Sequence, residues 1–169
     1  EASFVARTVD SDRKHLTETL RAASAHKGSA LIEIYQNCPI FNDGAFDIVR
    51  DSDTKEAALL KMVHGQAIKS STQGLVHAGA SLKVVELGSV DESELVVHDA
   101  HNPDPAYAFA LSLVSGSELH HFPAGTFRDV ERDAYGTMVH QHIADRKPCA
   151  KGQGVRSGGR RSGKKENSN

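Results

Sequence analysis

The sequence of 169 residues is poor in the features on which small secreted proteins and membrane proteins depend. Its two cysteines, Cys38 and Cys149, cannot form the disulfide framework of a small extracellular domain. It contains no tryptophan and no apolar run near the roughly 20 residues that cross a bilayer. We therefore expect a protein of the reducing cytoplasm that has no membrane partner.

Several patterns that carry catalysis or metal binding are also missing. There is no P-loop, no dinucleotide-binding glycine fingerprint, no Ser/His/Asp arrangement, no His-Glu-x-x-His and no Cys-x-x-Cys. Among the ten histidines, His98 and His101 could converge only in a turn, and His140 and His142 would point about 200° apart on a helix. We interpret the histidines as structural or capping groups in preference to a zinc site.

Charge is distributed unevenly along the chain. Residues 151–169 contain six Lys/Arg and one Glu, a net charge of +5, so the total of −2 leaves −7 for residues 1–150. A basic arm can bind nucleic acid through phosphate contacts. The Gly/Ser/Lys/Arg composition with a single aliphatic residue favours a disordered terminus instead. We predict a disordered basic tail over residues 148–169 and no nucleic-acid partner.

The first 35 residues predict a strand, a helix and a second strand. The strands are expected at residues 3–8 and 30–35, and the helix begins after an oxygen-bearing cap at residues 10–12. A stripe of Leu16, Leu20 and Ala23 is expected to be the buried face of this helix. The pattern is that of a βαβ unit with parallel strands.

The second strand is apolar apart from Glu33, which predicts that both of its faces are covered and that Glu33 lies at a polar cavity or a domain contact.

The remaining chain is less regular. We predict a short helix at 54–63, strands at 75–78, 82–87 and 94–98, and two helices, one capped by Asp104 and ended by Gly116, the other ended by Pro148. The side chains expected to face inward from these two helices are Ala106, Ala110, Leu113, Val114, Tyr135, Met138, Val139, His142 and Ile143.

The stretch ALIEIYQNCPIFNDGAFD, residues 30–47, places a Cys-Pro step just beyond a predicted parallel strand. Ligands of α/β sheets bind beyond the carboxyl ends of the strands, and a Cys-Pro step occurs among iron–sulfur ligands. Because proline lacks an N–H and bends the chain, the amides that follow can turn toward the sulfur of Cys38. The alternatives are a buried structural cysteine and, at Asn42-Asp43-Gly44, a simple tight turn in place of a loop that lines a cofactor crevice.

The stretch GSALIEIYQNCPIFNDGAFD resembles the β subunit of 2-oxoacid:ferredoxin oxidoreductases, in particular the 2-oxoglutarate type. The family pattern is a strand that ends in a Cys-Pro step, an aromatic or apolar pair and an Asn. Further similarity lies in FVARTVDSDRKHLTETLRAA, MVHGQAI, ELVVHDAHNPDPAYAFALS and FPAGTFRDVER, so that the resemblance covers about residues 2–145 in order. The matching residues of the pattern are Cys38, Pro39, Ile40, Phe41 and Asn42.

The resemblance implies an α/β fold. Residues 1–50 would be the C-terminal part of a thiamine-diphosphate-binding-type domain with a parallel sheet and flanking helices, and residues 51–147 a small β-rich and helical C-terminal extension. It also implies thiamine diphosphate, Mg²⁺ and a [4Fe–4S] cluster, with Cys38 as the last of four cluster cysteines. The expected crevice wall around Cys38 consists of Asn37, Pro39, Ile40, Phe41 and Asn42.

The implied activity is the oxidative decarboxylation of a 2-oxoacid to an acyl-CoA, with an α subunit as partner and ferredoxin as electron acceptor. The Gly-Asp-Gly-Asp motif for diphosphate and Mg²⁺ and the other three cluster cysteines are absent from this sequence. We therefore expect the C-terminal portion of such a subunit, inactive alone, with its βαβ unit at the edge of an incomplete sheet. The alternative is a subunit-assembly module without catalytic chemistry, and no general acid or base can be named.

Overall fold

The computed structural model describes residues 2–79, 81–114 and 120–146. Cys149 and the predicted basic tail lie outside the described residues. The chain divides into two compact units, Glu1–Ala134 and Tyr135–Asn169, and every described strand belongs to the first. In chain order the elements are β1 (Phe4–Val9), α1 (Arg13–Ala25), β2 (Ala30–Tyr35), α2 (Asp47–Arg50), α3 (Lys55–Ala58), β3 (Leu59–Met62), β4 (Gln73–Ala78), β5 (Ser81–Glu86), a 3-10 turn (Glu92–Glu94), α4 (Pro105–Ser112), β6 (Phe122–Asp129) and α5 (Tyr135–Arg146).

The protein is α/β with a mostly parallel four-stranded sheet in the order β2-β1-β6-β3. β1 runs parallel to β2, which confirms the predicted βαβ unit. β3 runs parallel to β6. β6 runs antiparallel to β1, with a register shift between Val5 and Ala6, so the sheet is mixed where a wholly parallel sheet was expected. β4 and β5 form a separate antiparallel pair. The sheet therefore includes β3 and β6, which come from beyond residue 50.

Helix caps follow the sequence prediction closely. The carboxylate of Asp12 accepts a hydrogen bond from the backbone N–H of His15 at 3.0 Å and so begins α1. The carboxylate of Asp104 accepts one from the N–H of Ala106 at 2.9 Å, and Pro105 occupies the first turn of α4. Local side-chain chemistry thus determines where these two helices start.

Two predicted elements are wrong because tertiary contacts override local pattern. Only Lys55–Ala58 of the predicted helix 54–63 is helical, and Leu59–Met62 forms β3. Two apolar clusters bury three side chains of this segment almost fully, those of Leu59, Leu60 and Met62. This burial favours a strand that pairs with β6 over another helical turn. The predicted strand 94–98 is absent as a strand, and isolated bridges join Leu95 to Val76 and Val97 to Ala67.

The predicted inward face of the α4 segment is right for Val114, which packs against an apolar cluster, and wrong for Ala106 and Leu113, and that of α5 is wrong. In α4 the buried residue is Leu111, whereas Ala106 is exposed and Leu113 is 64% exposed. In α5 no residue is buried, and Tyr135 is 80% exposed. α4 is apolar on all sides, so its sequence pattern does not identify the packed face.

β2 is the outermost strand of its sheet, and its predicted two-sided burial is wrong. Leu31 is 59% exposed and Ile34 is 41% exposed. On α1, Leu20 of the predicted stripe is 45% exposed and the buried side chain is that of Thr19. An apolar strand at the edge of a sheet is unusual for a parallel arrangement, whose strands are normally covered.

Candidate functional site

The loop that follows β2 holds Cys38 in a compact turn. The backbone N–H of Asn42 donates to the carbonyl of Cys38 at 2.9 Å, which closes the loop. The side chain of Asn37 fixes the far end, since its Oδ1 accepts from the N–H of Gly44 at 2.9 Å and its Nδ2 donates to Asp43 at 2.8 Å. Gly44 has φ +77°, a conformation that favours glycine. The Asn42-Asp43-Gly44 segment is therefore a tight turn that Asn37 stabilises.

Cys38 is a partly exposed free cysteine in this loop. The N–H groups of Phe41 and Ile40, with a smaller contribution from Asn42, lower the pKa of the Cys38 thiol, while partial burial opposes them. These amides follow Pro39, and their direct hydrogen bonding to the sulfur stays a prediction. The thiolate, which is the form that ligates metals, is stabilised, and the alternative of a cysteine buried in the core is wrong.

The residues around the thiol present apolar side chains to solvent. Ile40 is 83% exposed and Phe41 is 88% exposed, and Pro39 and Asn42 are exposed as well. The structure thus brings together in one loop the thiol, the amides that lower its pKa and the side chain of Asn37. That Asn37, Pro39, Ile40, Phe41 and Asn42 form the wall of a cofactor crevice stays a prediction.

Cys38 belongs to no group of three potential metal ligands in the part of the chain that the structure describes. Across residues 2–79, 81–114 and 120–146, no group of three His, Cys, Asp or Glu side chains is placed to hold a metal ion. Cys38 is the only cysteine among the described residues, so a four-cysteine cluster bound here needs its other ligands from elsewhere.

His98 is a structural histidine, as predicted. It is 1% exposed, its Nε2 lies 2.6 Å from the carbonyl oxygen of Thr126, and its Nδ1 lies 3.1 Å from the hydroxyl of Tyr107. Because a carbonyl can only accept, Nε2 carries the proton and Nδ1 accepts from Tyr107. Burial lowers the pKa of His98, and the ring is neutral in the folded protein at neutral pH.

We expect the free energy of unfolding to fall as the pH drops below about 6.5, the ordinary value for His, because the unfolded chain then binds a proton that folded His98 does not. His98→Gln should remove this part of the pH dependence and cost about 1–3 kcal/mol at neutral pH. Urea denaturation between pH 5 and 8 measures both effects. His77→Gln, at an exposed position, is the matched control. The prediction is wrong if the free energy of unfolding depends on pH equally in both variants.

His101 also has a structural role. Its Nδ1 donates to the carbonyl oxygen of Asp129 at 2.6 Å, and its ring centroid lies 4.4 Å from that of His64. Both rings line a cavity of about 340 Å³ beside α1 and the end of β6. The hydrogen bond of His101 joins its loop to the last residue of β6, which agrees with the interpretation of the histidines as structural or capping groups.

Sequence reasoning missed an ion pair on the first two strands, between a buried Arg7 and a half-exposed Glu33. Arg7 is 8% exposed, and its Nε donates to a carboxylate oxygen of Glu33 at 2.7 Å. The guanidinium carbon of Arg7 lies 5.2 Å from the ring centroid of Tyr35 and 4.9 Å from that of Phe127. Glu33 lines a cavity of about 330 Å³, but most of its lining is apolar, so the prediction of a polar cavity there is wrong. The signal was available, because parallel pairing places Arg7 directly opposite Glu33.

Among the curated proteins that match the chain are one with a long match and two with short ones. The chain is 45% identical over 146 residues to 2-oxoglutarate oxidoreductase subunit KorB of Mycobacterium tuberculosis, a match that covers 85% of this chain. The chain is a homologue of 2-oxoacid oxidoreductase β subunits. Over 41 residues, 24% of the chain and 13% of each relative, it is 51% and 49% identical to 2-oxoacid:ferredoxin oxidoreductase β subunits of a Sulfolobus species and of Saccharolobus solfataricus.

The match confirms the resemblance seen in the sequence, and it covers only part of the relative. The chain spans 39% of the length of KorB, so it corresponds to a portion of that β-subunit homologue. No protein-family model matches the sequence. Among the described residues, no helix has both the length and the apolar character needed to cross a membrane.

Proposed function

We propose that this chain is the C-terminal portion of the β subunit of a 2-oxoglutarate:ferredoxin oxidoreductase and that Cys38 is an iron ligand in it. The observation that carries the proposal is the partly exposed thiol of Cys38, whose pKa the amides of its own loop lower, in a chain 45% identical over 146 residues to KorB. Stabilisation of the thiolate is what a cluster ligand requires.

The proposed cofactors are a [4Fe–4S] cluster, thiamine diphosphate and Mg²⁺. A single thiolate fits one corner of the cluster, which supplies one-electron transfer when bound. The amides of Phe41, Ile40 and Asn42 would offset negative charge on the ligated sulfur and favour the reduced state. The described residues contain no group of three acidic, His or Cys side chains for Mg²⁺, so its site and that of the diphosphate are assigned to the rest of the subunit.

In this proposal the chain shares in oxidative decarboxylation as part of a complex. The reaction converts 2-oxoglutarate and coenzyme A to an acyl-CoA and CO₂, and the electrons pass to ferredoxin. An α subunit is the partner within the complex. This chain contributes the cluster ligand and the loop that positions it, and alone it is inactive.

The test uses a KorB chimera, in which the matched segment of M. tuberculosis KorB is replaced by residues of this chain, expressed anaerobically with the partner subunit of that enzyme. We expect reduction of ferredoxin that depends on both 2-oxoglutarate and coenzyme A, and slower reduction with pyruvate. Unmodified KorB handled in parallel is the positive control. A chimera that folds and assembles but reduces no ferredoxin with either oxoacid would contradict the proposal.

A subunit-assembly module is the second candidate function. The observation that favours it is the large exposed apolar area on α4 and β2, where Leu31, Phe109 and Leu113 are each about 60% exposed or more. This function predicts that the chimera assembles with the partner subunit and that changing Cys38 alters neither its iron content nor its activity.

A further inference from the structure

The loop that carries Cys38 has a pair of aromatic rings at its base. Tyr35 is the last residue of β2 and Phe46 directly precedes α2, so the two rings lie at the two ends of the segment 36–45. Their planes are 11° apart and their centroids 4.6 Å apart, which is a stacked arrangement. The chain therefore leaves β2 and enters α2 through one pair of rings.

Buried contacts fix this stack to the sheet. The ring of Phe122 is fully buried on β6, an interior strand, and its edge meets the rings of Tyr35 and Phe46 at centroid distances of 5.2 and 6.3 Å. Both rings pack against the apolar cluster that contains Phe122 and Leu59. The guanidinium carbon of Arg7 lies 5.2 Å from the ring centroid of Tyr35. The base of the loop is thus held by the sheet.

Two hydrogen bonds cross the loop inside the aromatic stack. The Oδ1 atom of Asn37 accepts from the N–H of Gly44 at 2.9 Å, and nearer the tip the carbonyl of Cys38 accepts from the N–H of Asn42 at 2.9 Å. These contacts are nested, because each joins two residues that lie between the residues of the contact outside it. A closed base shortens the segment that the inner contacts must order, so they depend on the separation of the two stems at the stack.

We infer that Tyr35 and Phe46 are positioning residues for Cys38: their stack fixes the separation of the stems and so the placement of the tip amides relative to the thiol. Neither ring is proposed to touch iron or substrate, and both act through the loop. The amides of Phe41 and Ile40 lower the pKa of the Cys38 thiol, so the thiol reports their placement. The inference rests on the proposed function only where it concerns iron.

The first test measures the pH dependence of the alkylation of Cys38 by iodoacetamide. It uses the chain with Cys149→Ser, in which Cys38 is the only thiol. We expect Tyr35→Leu and Phe46→Leu each to lower the ratio of the rate at pH 7 to the plateau rate at high pH by at least about threefold, because displaced amides stabilise the thiolate less. The ratio corrects for altered access to the sulfur. Tyr35→Phe retains the ring and should retain the ratio of the unmodified chain.

Leu59→Ala is the matched control for loss of stability alone, because Leu59 belongs to the same apolar cluster but lies on β3. It should lower the melting temperature by at least as much as the leucine variants and leave the ratio unchanged. Both rings are only half-buried, so we expect the leucine variants to fold, and Phe46→Met, which has no ring, replaces one that does not. An unchanged ratio in the folded ring variants would overturn the inference. So would an equal fall in Leu59→Ala or in Tyr35→Phe.

The second test uses the KorB chimera and separates this inference from the assignment of the iron ligand. Tyr35→Leu and Phe46→Leu should lower the reduction potential of the iron–sulfur cluster while iron content is retained, because the amides then offset less negative charge. Leu59→Ala should leave the potential unchanged. If Cys38→Ser keeps its iron, the proposed function fails while the alkylation result still supports the positioning role. If Cys38→Ser loses its iron but the ring variants keep the unmodified potential, the positioning role is wrong.

Discussion

Cys38→Ser in the KorB chimera is expected to abolish ferredoxin reduction and to lower the iron content of the anaerobically purified protein. Serine keeps the size of the side chain but replaces a soft thiolate, the form favoured by the amides of Phe41 and Ile40, with a hydroxyl. Because Cys38 lies in an exposed loop outside both apolar clusters, the melting temperature of the isolated chain should hardly change. Iron analysis, the visible absorption of the cluster and the ferredoxin assay measure the effect.

The matched control for Cys38→Ser is Cys149→Ser, which makes the same chemical change at the only other cysteine of the sequence. We expect it to leave iron content and activity unchanged. A second variant, Asn37→Ala, removes the side chain that anchors the loop without touching the thiol. It should retain iron but lose it faster in air. Equal iron in Cys38→Ser and the unmodified chimera would disprove the ligand assignment.

The largest loss of stability is expected for Gly125→Ala in β6. Gly125 has φ +134°, and a Cβ added there would lie 2.2 Å from the carbonyl oxygen of Met62 on the neighbouring strand β3. Relief requires the backbone of β3 or β6 to move, at the junction where β6 also pairs with Arg7 of β1. We expect a loss of about 3 kcal/mol or more, from strain and disrupted pairing together, or failure to accumulate as a folded protein.

Two further glycines separate the causes of that loss. Gly65 has φ +77° with no atom within 4 Å of an added Cβ, so Gly65→Ala reports backbone strain alone and should cost about 1–2 kcal/mol. Gly136 lies in α5 with open space around it and should gain about 0.5–1 kcal/mol when changed to Ala. Chemical denaturation measures the free energy of unfolding of the three variants. A loss for Gly125→Ala that is no larger than the loss for Gly65→Ala would contradict the steric argument.

The predictable parts of the fold are those that local chemistry specifies. The caps at Asp12 and Asp104, the bounds of β2 and the parallel pairing of β1 with β2 follow from oxygen-bearing side chains, proline at a first turn and a short apolar run. β6 was not predicted, although its segment carries part of the family resemblance. Its strand FPAGTFRD contains a proline and a glycine, which obscure the strand pattern.

Packing faces were less predictable because they depend on which neighbours are present. Leu59 and Leu60 suit a helix or a strand, and burial beside β6 decides for the strand. α4 has no polar side by which to orient it, so only the contacts of Leu111 reveal its packed face. The predicted edge position of the βαβ unit is confirmed, and the exposure of Leu31 on β2 is its consequence.

The sequence by itself determined the βαβ unit, the Cys38-Pro39 step and the family resemblance, because each depends on the order of a few neighbouring residues. Only the tertiary structure decided that Arg7 pairs with Glu33 and that apolar α4 is left largely uncovered. These features depend on how distant segments meet in space, and no short stretch of residues encodes such distances.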